Sequence, residues 1–314
     1  MKRFKNLLLV FEPEADNETA VSLAVSLAKR NQASLTLISV VEDLSAETYM
    51  EATSLPSGDL FERVMKDCWE QLQPVIESIG AAGPEARARV VSGTPFLEII
   101  RQVLRDRHDL VMVTAEGTDG FKARLFGSTT MHLMRKCPCP VWAVKPRSQQ
   151  GFARILATVD PGSPDNEHNA LDRLVMDLST SLASLERSEL HVIHAWNLPG
   201  ERRILSRGVI TQRGLDVLLR GVRGRREMQL GDLLGSYSSL DLRPWVHLVK
   251  GRAGKEIPEL VRQEGIDLLV MGTVCRTGVA GFFIGNTAEE VLSQVNCSVL
   301  TVKPEGFVTP VTLE

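Results

Sequence analysis

The chain has 314 residues and 34.6 kDa, with 36 Lys and Arg against 39 Asp and Glu and a formal charge of −3. That length sets a prior of about two domains at ~100–200 residues each. The 43% hydrophobic fraction and mean hydropathy of −0.02 exclude a mostly disordered chain, the charge balance argues against a dedicated nucleic-acid binder, and no apolar run approaches the ~18–20 residues of a membrane span.

Met1–Lys5 leads directly into the short apolar run Leu7–Val10, interrupted at Glu12. A signal peptide needs a longer run and a small-residue cleavage site. Five cysteines (68, 137, 139, 275 and 297) form an odd, sparse set that does not suggest a disulfide framework. A cytoplasmic location is the expectation. The runs Leu7–Val10, Leu35–Val41, Leu110–Val113 and Val141–Val144 are apolar without strict alternation, the pattern of parallel strands covered on both faces. Between them, Ala20, Val21, Ala24, Leu27 and Ala28 mark one face of a helix over 17–30. Phe96, Ile99, Ile100, Val103 and Leu104 do the same after Gly93-Thr94-Pro95. Polar Lys145–Gly151 breaks both periods and reads as a linker. Helices are expected again around Leu171, Leu174, Val175, Leu178 and Leu182, and around Ile257, Leu260 and Val261.

The elements recur. Lys5–Pro13 matches Ala153–Pro161 at an offset of 148 residues, and Ser34–Val40 matches Glu189–Ala195 at 155. Val91–Gly93, Asp109–Val113 and Val141–Pro146 match Val249–Gly251, Asp267–Met271 and Val299–Pro304, all at 158. Every block keeps its order, so the chain is a tandem duplication whose second copy carries an insertion. Strand–helix alternation gives each copy a doubly wound α/β sheet. The expected domains are 1–147 and 152–305, followed by a tail over 306–314.

In such a sheet, ligands bind beyond the carboxyl ends of the strands. The loop after the fourth strand runs from Val113-Thr114-Ala115-Glu116-Gly117 to Gly127-Ser128-Thr129-Thr130 in copy 1. In copy 2 it runs from Met271-Gly272-Thr273-Val274-Cys275 to Gly285-Asn286-Thr287-Ala288. Gly127 and Gly285 each precede an amphipathic stretch, where a helix N-terminus with a hydroxyl offers a site for phosphate.

On these blocks, both copies resemble universal stress protein domains, and the whole chain is similar to the tandem members of that family. The resemblance implies a Rossmann-like, adenine-nucleotide-binding fold, with two open parallel five-stranded sheets packed as an internal pseudo-dimer. Nucleotide-binding members carry Gly-x2-Gly-x9-Gly-[Ser/Thr] after strand four and an Asp ending strand one. Copy 1 presents Thr114, Gly117, Gly127 and Ser128, and copy 2 presents Gly272, Cys275, Gly285 and Asn286. The strand-one acid is Glu12, after Phe11, in copy 1 and Asp160, after Val159, in copy 2. A Cβ at Thr114 or Cys275 opposes close approach of phosphate to backbone. The candidate binding residues are therefore Glu12, Val40, Gly117, Gly127, Ser128 and Thr129 in copy 1. Those of copy 2 are Asp160, Ala195, Gly272, Thr273, Gly285, Asn286 and Thr287. Copy 1 better suits the triphosphate of ATP; copy 2 suits adenosine, or an uncharged or lipid-like molecule. Both loops could equally be structural remnants.

Other motifs carry less. Gly251-Arg252-Ala253-Gly254-Lys255-Glu256 lacks phosphate-loop spacing and aligns with the turn Gly93-Thr94-Pro95. Cys137-Pro138-Cys139 has no companion ligands for zinc and reads as packed thiols, while Cys275 falls in a ligand loop. His191 and His194, three apart on a strand, face opposite sides, and His132 and His247 have no evident partners. Glu201–Glu227 contains eight arginines. It reads as a solvated helix face, with Ile210, Leu215, Val217, Leu218 and Leu219 inward, or as a basic patch for phosphate-rich partners. The expectation is a non-enzymatic stress-response protein binding a small ligand or a protein partner. A nucleotide switch or weak ATPase, and an adaptor with empty pockets, are the alternatives; homodimerisation is open.

Overall fold

A computed structural model describes residues 4–42, 57–115, 126–147, 151–162, 166–206, 210–273 and 284–313. In chain order the elements are β1 (Asn6–Val10), α1 (Glu18–Asn31), β2 (Ser34–Val41), α2 (Ser57–Ala82), β3 (Ala86–Ser92), α3 (Pro95–Asp106), β4 (Leu110–Thr114), α4 (Ser128–Lys136) and β5 (Val141–Val144). The second copy gives β6 (Arg154–Thr158), α5 (Asn166–Glu186), β7 (Glu189–Trp196), α6 (Glu201–Ser206), α7 (Gln212–Gly235), β8 (Trp245–Lys250), α8 (Ala253–Gln263), β9 (Leu268–Gly272), α9 (Asn286–Leu292) and β10 (Ser298–Val302). Each apolar run became a strand within a residue of its expected bounds. The long helix α2, with Pro74 inside it, carries no counterpart in the sequence reading.

Packing divides the chain into two compact units. Among the described residues, unit 1 holds those up to Gly151, with Ile284 and 298–313; unit 2 holds 152–273 and 285–297. Unit 1 has the strand order β3-β2-β1-β4-β5, all parallel, with β10 antiparallel on β5 through Leu300 opposite Trp142. Unit 2 has the parallel order β9-β6-β7-β8. By sequence β10 is the fifth strand of the second copy; by packing it lies in unit 1.

The first strand of each copy is central. Leu7, Leu8 and Leu9, like Ile155, Leu156 and Ala157, are wholly buried, as a strand covered by helices on both faces requires. One device starts it in both copies. The Asp109 carboxylate, just before β4, accepts hydrogen bonds from the Lys5 N–H at 2.6 Å and the Asn6 N–H at 3.0 Å. Asp267, before β9, accepts from the Ala153 and Arg154 N–H groups at 2.8 and 3.1 Å. A carboxylate bridging two otherwise orphaned backbone donors sets the register of the first strand against the fourth.

Charge-assisted hydrogen bonds contribute about 1.5–3 kcal/mol each when buried, and less when partly exposed. Asp267→Ala should therefore lower the unfolding free energy by about 1–3 kcal/mol, read from a urea midpoint. A midpoint equal to wild type would remove the clamp from this account.

Candidate ligand-binding site

In unit 2 a cleft of about 480 Å³ opens beyond the carboxyl ends of β6 and β9, at the point where the strand order reverses. Its floor is Thr158, Val159 and Asp160 after β6, Ile193 and Ala195 on β7, and Met271 and Gly272 ending β9. α5 adds Leu171, Asp172 and Val175; the turn into α8 adds Gly251, Arg252 and Gly254; Gly285, Asn286, Thr287 and Glu290 close the mouth. Six of the seven residues expected in copy 2 thus line one cleft. The seventh, Thr273, is buried, and its carbonyl holds the Gly285 N–H at 2.9 Å, pinning the two ends of the loop together. Cys275 lies outside the described residues.

Gly272 lies in close approach to the Leu171 side chain, which a Cβ would displace. A Cβ on it would stand 2.6 Å from Leu171 Cδ2. In copy 1 the matching residue is Thr114, which is buried and whose hydroxyl donates to Asn17 Oδ1 at 3.1 Å. The Asn17 amide in turn donates to the Glu12 carbonyl at 2.7 Å and the Ala15 carbonyl at 3.0 Å. The lost glycine of copy 1 is thereby built into a polar latch below the strand-one turn. Of the other copy 1 candidates, Glu12 and Ser128 are exposed and Val40, Gly127 and Thr129 half-buried; Gly117 lies outside the described residues. Gly127 is the N-cap of α4, whose first turn carries no acidic residue.

The cleft of unit 2 is anionic. Asp160, Asp172 and Glu290 face one cation, Arg252, whose guanidinium is already 3.0 Å from the Glu290 carboxylate. Asp172 also accepts from the Asp160 N–H at 2.9 Å, shaping the strand-one turn. His194 Nδ1 lies 3.2 Å from the Val159 carbonyl and 3.6 Å from Asp160 Oδ1, the latter too long for a hydrogen bond. Two effects oppose each other on this ring. Burial dominates and the Arg226 charge adds to it, against the Val159 carbonyl, which favours the charged imidazolium, so His194 is held below the ordinary histidine range.

Sequence reasoning missed Asp172, Arg252 and Glu290. Asp172 had a signal, an acid set beside Leu171 and Val175 on the inward face of a helix, and Arg252 lies in the Gly251–Glu256 turn, which lacks phosphate-loop spacing; Glu290 had none. His247, without an evident partner in the sequence, lies 3.0 Å (Nε2) from His191 Nδ1, which its own strand had left alone. Cys137, Cys139 and Cys297 are buried. One expectation is corrected. Leu215 is buried in α7, but Val217 is 57% and Leu218 41% exposed. The inward stripe follows Leu215, Leu219 and Leu230 at helical spacing, and Val217 lies about 200° round from Leu215. Arg213, Arg220, Arg223 and Arg225 are exposed, and Arg207 lies outside the described residues.

Fold and cleft together define a duplicated doubly wound α/β protein with a cleft at the strand switch point of its second unit. The chain belongs to the universal stress protein family, whose family model matches residues 3–145 and 242–303. It is 30% identical to universal stress protein E of Salmonella typhi, over 100% of this chain and 99% of that one, and 29% identical to its counterpart in Escherichia coli K12, over 100% and 98%. In fold it is similar to a functionally unknown protein from Pseudomonas aeruginosa (TM-score 0.72, 22% identity, 98% and 95% of the two chains). A universal stress protein from Archaeoglobus fulgidus is also similar (TM-score 0.66, 18% identity, 97% and 98%). No helix among the described residues is long and apolar enough to cross a membrane.

The histidines set a pH dependence. Burial is the leading cause that holds His108, His132, His191, His194 and His247 below the ordinary value of ~6.5. The unfolded chain then binds more protons than the folded one below that pH. Stability should be fully present above pH ~6.5 and fall as pH drops beneath it. Urea midpoints at descending pH should show this, with a shallower fall in His194→Gln; parallel curves would exclude His194 as a contributor.

Proposed function

We propose that the protein is a non-catalytic, cytoplasmic stress-response protein whose second copy binds a small uncharged ligand of the nucleoside class. The observation that carries this reading is the charge of the unit 2 cleft. Its size falls within the ~300–1,000 Å³ of ordinary ligand pockets, and Asp160 stands where a ribose hydroxyl could donate to it. Three carboxylates against one ion-paired arginine repel a polyphosphate, and Asn286 and Glu290 occupy the end where phosphate would sit. A non-catalytic role is supported by His194, the histidine beside Asp160, being 1% exposed and engaged with the Val159 carbonyl. The four described cysteines are free thiols, in keeping with a reducing compartment.

A second reading is favoured by one contrast. α4 opens with Gly127, Ser128 and Thr129 and no acid in its first turn, whereas α9 carries Glu289 there. A helix N-terminus of that kind suits phosphate, which supports copy 1 as the ATP site on this reading.

Calorimetric titration separates the two. Adenosine should bind wild type, and Asp160→Ala should weaken it about tenfold or more, the cost of a charge-assisted hydrogen bond. ATP with magnesium should bind more weakly than adenosine and be indifferent to Asp160→Ala. If ATP binds and Gly127→Ala with Ser128→Ala abolishes it, copy 1 is the site and the second reading holds. Native mass spectrometry of freshly purified protein would reveal a lipid as a retained mass, which neither reading predicts.

A further inference from the structure

Unit 1 contains a buried cluster that the ligand cleft does not use. Cys137 caps the end of α4 in extended backbone (φ −66°, ψ 133°), and two residues on Cys139 leads into β5. Their sulfurs lie 3.5 Å apart, and the side chains are 0% and 8% exposed. Lys303, which follows β10, is 6% exposed. Its ammonium donates to the Met134 carbonyl at 2.9 Å and stands 5.1 Å from the centre of the Phe307 ring. No carboxylate pairs with it among the described residues. A buried ammonium is costly unless an anion or good acceptors compensate it. The groups able to supply an anion whose charge acts on it are the two thiols.

Their chemistry is asymmetric. Burial pulls the Lys303 amine down to about 8, while Cys137 and Cys139 oppose that shift. Burial also pushes the Cys137 thiol up, but the hydrogen bond from Cys139, the Lys303 charge and the Cys139 backbone together hold it below the ordinary thiol value. Cys139 is raised well above that value by its bond to Cys137 and then by burial. The copies differ here: the positions matching Cys137 and Cys139 in copy 2 are Val295 and Cys297, so one dithiol exists in the chain and not two.

We propose that Cys137 and Cys139 form a peroxide-oxidisable dithiol, served by Lys303 as counter-ion and proton donor, that closes to a Cys137–Cys139 disulfide. The Cys137 thiolate attacks one oxygen of hydrogen peroxide, the O–O bond breaks, and the departing hydroxide takes a proton from the Lys303 ammonium to leave as water. Cys137 is then a sulfenic acid. The Lys303 amine accepts the Cys139 proton as that sulfur attacks Cys137; the S–S bond forms, the S–O bond breaks, and the second hydroxide leaves as water with the proton returned by Lys303. The two sulfurs lose two electrons, the peroxide gains them, and Lys303 ends neutral, so no uncompensated charge stays buried. A water-sized oxidant enters by local opening of the segment after Lys303, which lacks regular secondary structure and carries Val308 at 75% exposure.

The full chain, reduced and then exposed to hydrogen peroxide, should be quenched with N-ethylmaleimide and mapped by peptide mass. The peptide containing Cys137 and Cys139 should lose two hydrogens and resist alkylation, while Cys68 and Cys297 remain alkylated. Lys303→Met should slow that loss at least about tenfold, because the thiolate fraction falls with its counter-ion. Oxidation of Cys68 or Cys297 at an equal rate, over-oxidation of one sulfur with no disulfide, or an unchanged rate in Lys303→Met would overturn the proposal. Should Lys303→Met not fold, the thiolate ultraviolet band decides: present at neutral pH in wild type and lost in Cys137→Ser, or, if unchanged in Cys137→Ser, contradicting it.

Discussion

A parallel strand with helices on both faces cannot place a polar group along its length, and most of this molecule follows from that. The interiors of the central strands β1 and β6, Leu7–Val10 and Ile155–Ala157, are aliphatic because neither face meets water. In these two strands polar chemistry is therefore concentrated at the ends. At the amino end it takes the form of the Asp109 and Asp267 carboxylates, which satisfy the first backbone donors of the neighbouring strand. At the carboxyl end it takes the form of the turns that build the cleft.

The two copies have used those carboxyl ends differently. In unit 2, Gly272 leaves room that Leu171 partly fills, and the turn after β6 is shaped by Asp172 under Asp160. In unit 1 the same strand ends are tied by Thr114 to Asn17 and by Asn17 to the turn carbonyls. One side chain in place of a hydrogen converts an approach path for ligand into an internal hydrogen-bond network. The phosphate end diverges in the opposite sense, keeping hydroxyls in copy 1 and acquiring carboxylates in copy 2.

Much of the fold was legible because burial on both faces writes itself as uninterrupted apolar runs, and because duplication repeats each run in order. The site was legible as far as backbone turns dictate it: Asp160, Gly272 and Gly285 could be placed from motif positions. Asp172, Arg252 and Glu290 could not, since side chains from separate helices converge only once the helices are packed. The long helix α7 was misread at Val217 and Leu218, because an insertion with few buried positions has a weak stripe and every apolar residue looks inward. A doubly wound parallel sheet within a copy follows from its alternation, but the seating of β10 on β5 depends on surfaces that a linear pattern does not encode. That seating brings Lys303 onto the Met134 carbonyl beside Cys137 and Cys139, more than 160 residues earlier in the chain.

The central claim is that ligand binding has been kept in copy 2 and turned away from phosphate. A methyl-labelled nuclear magnetic resonance titration with adenosine tests it most directly. The account predicts shifts at Val159, Ala195 and Ile257, which line the unit 2 cleft, with Thr129 and Thr130 at the start of α4 unmoved. Shifts confined to the α4 turn, or larger shifts at the unit 2 cleft with ATP than with adenosine, would contradict it.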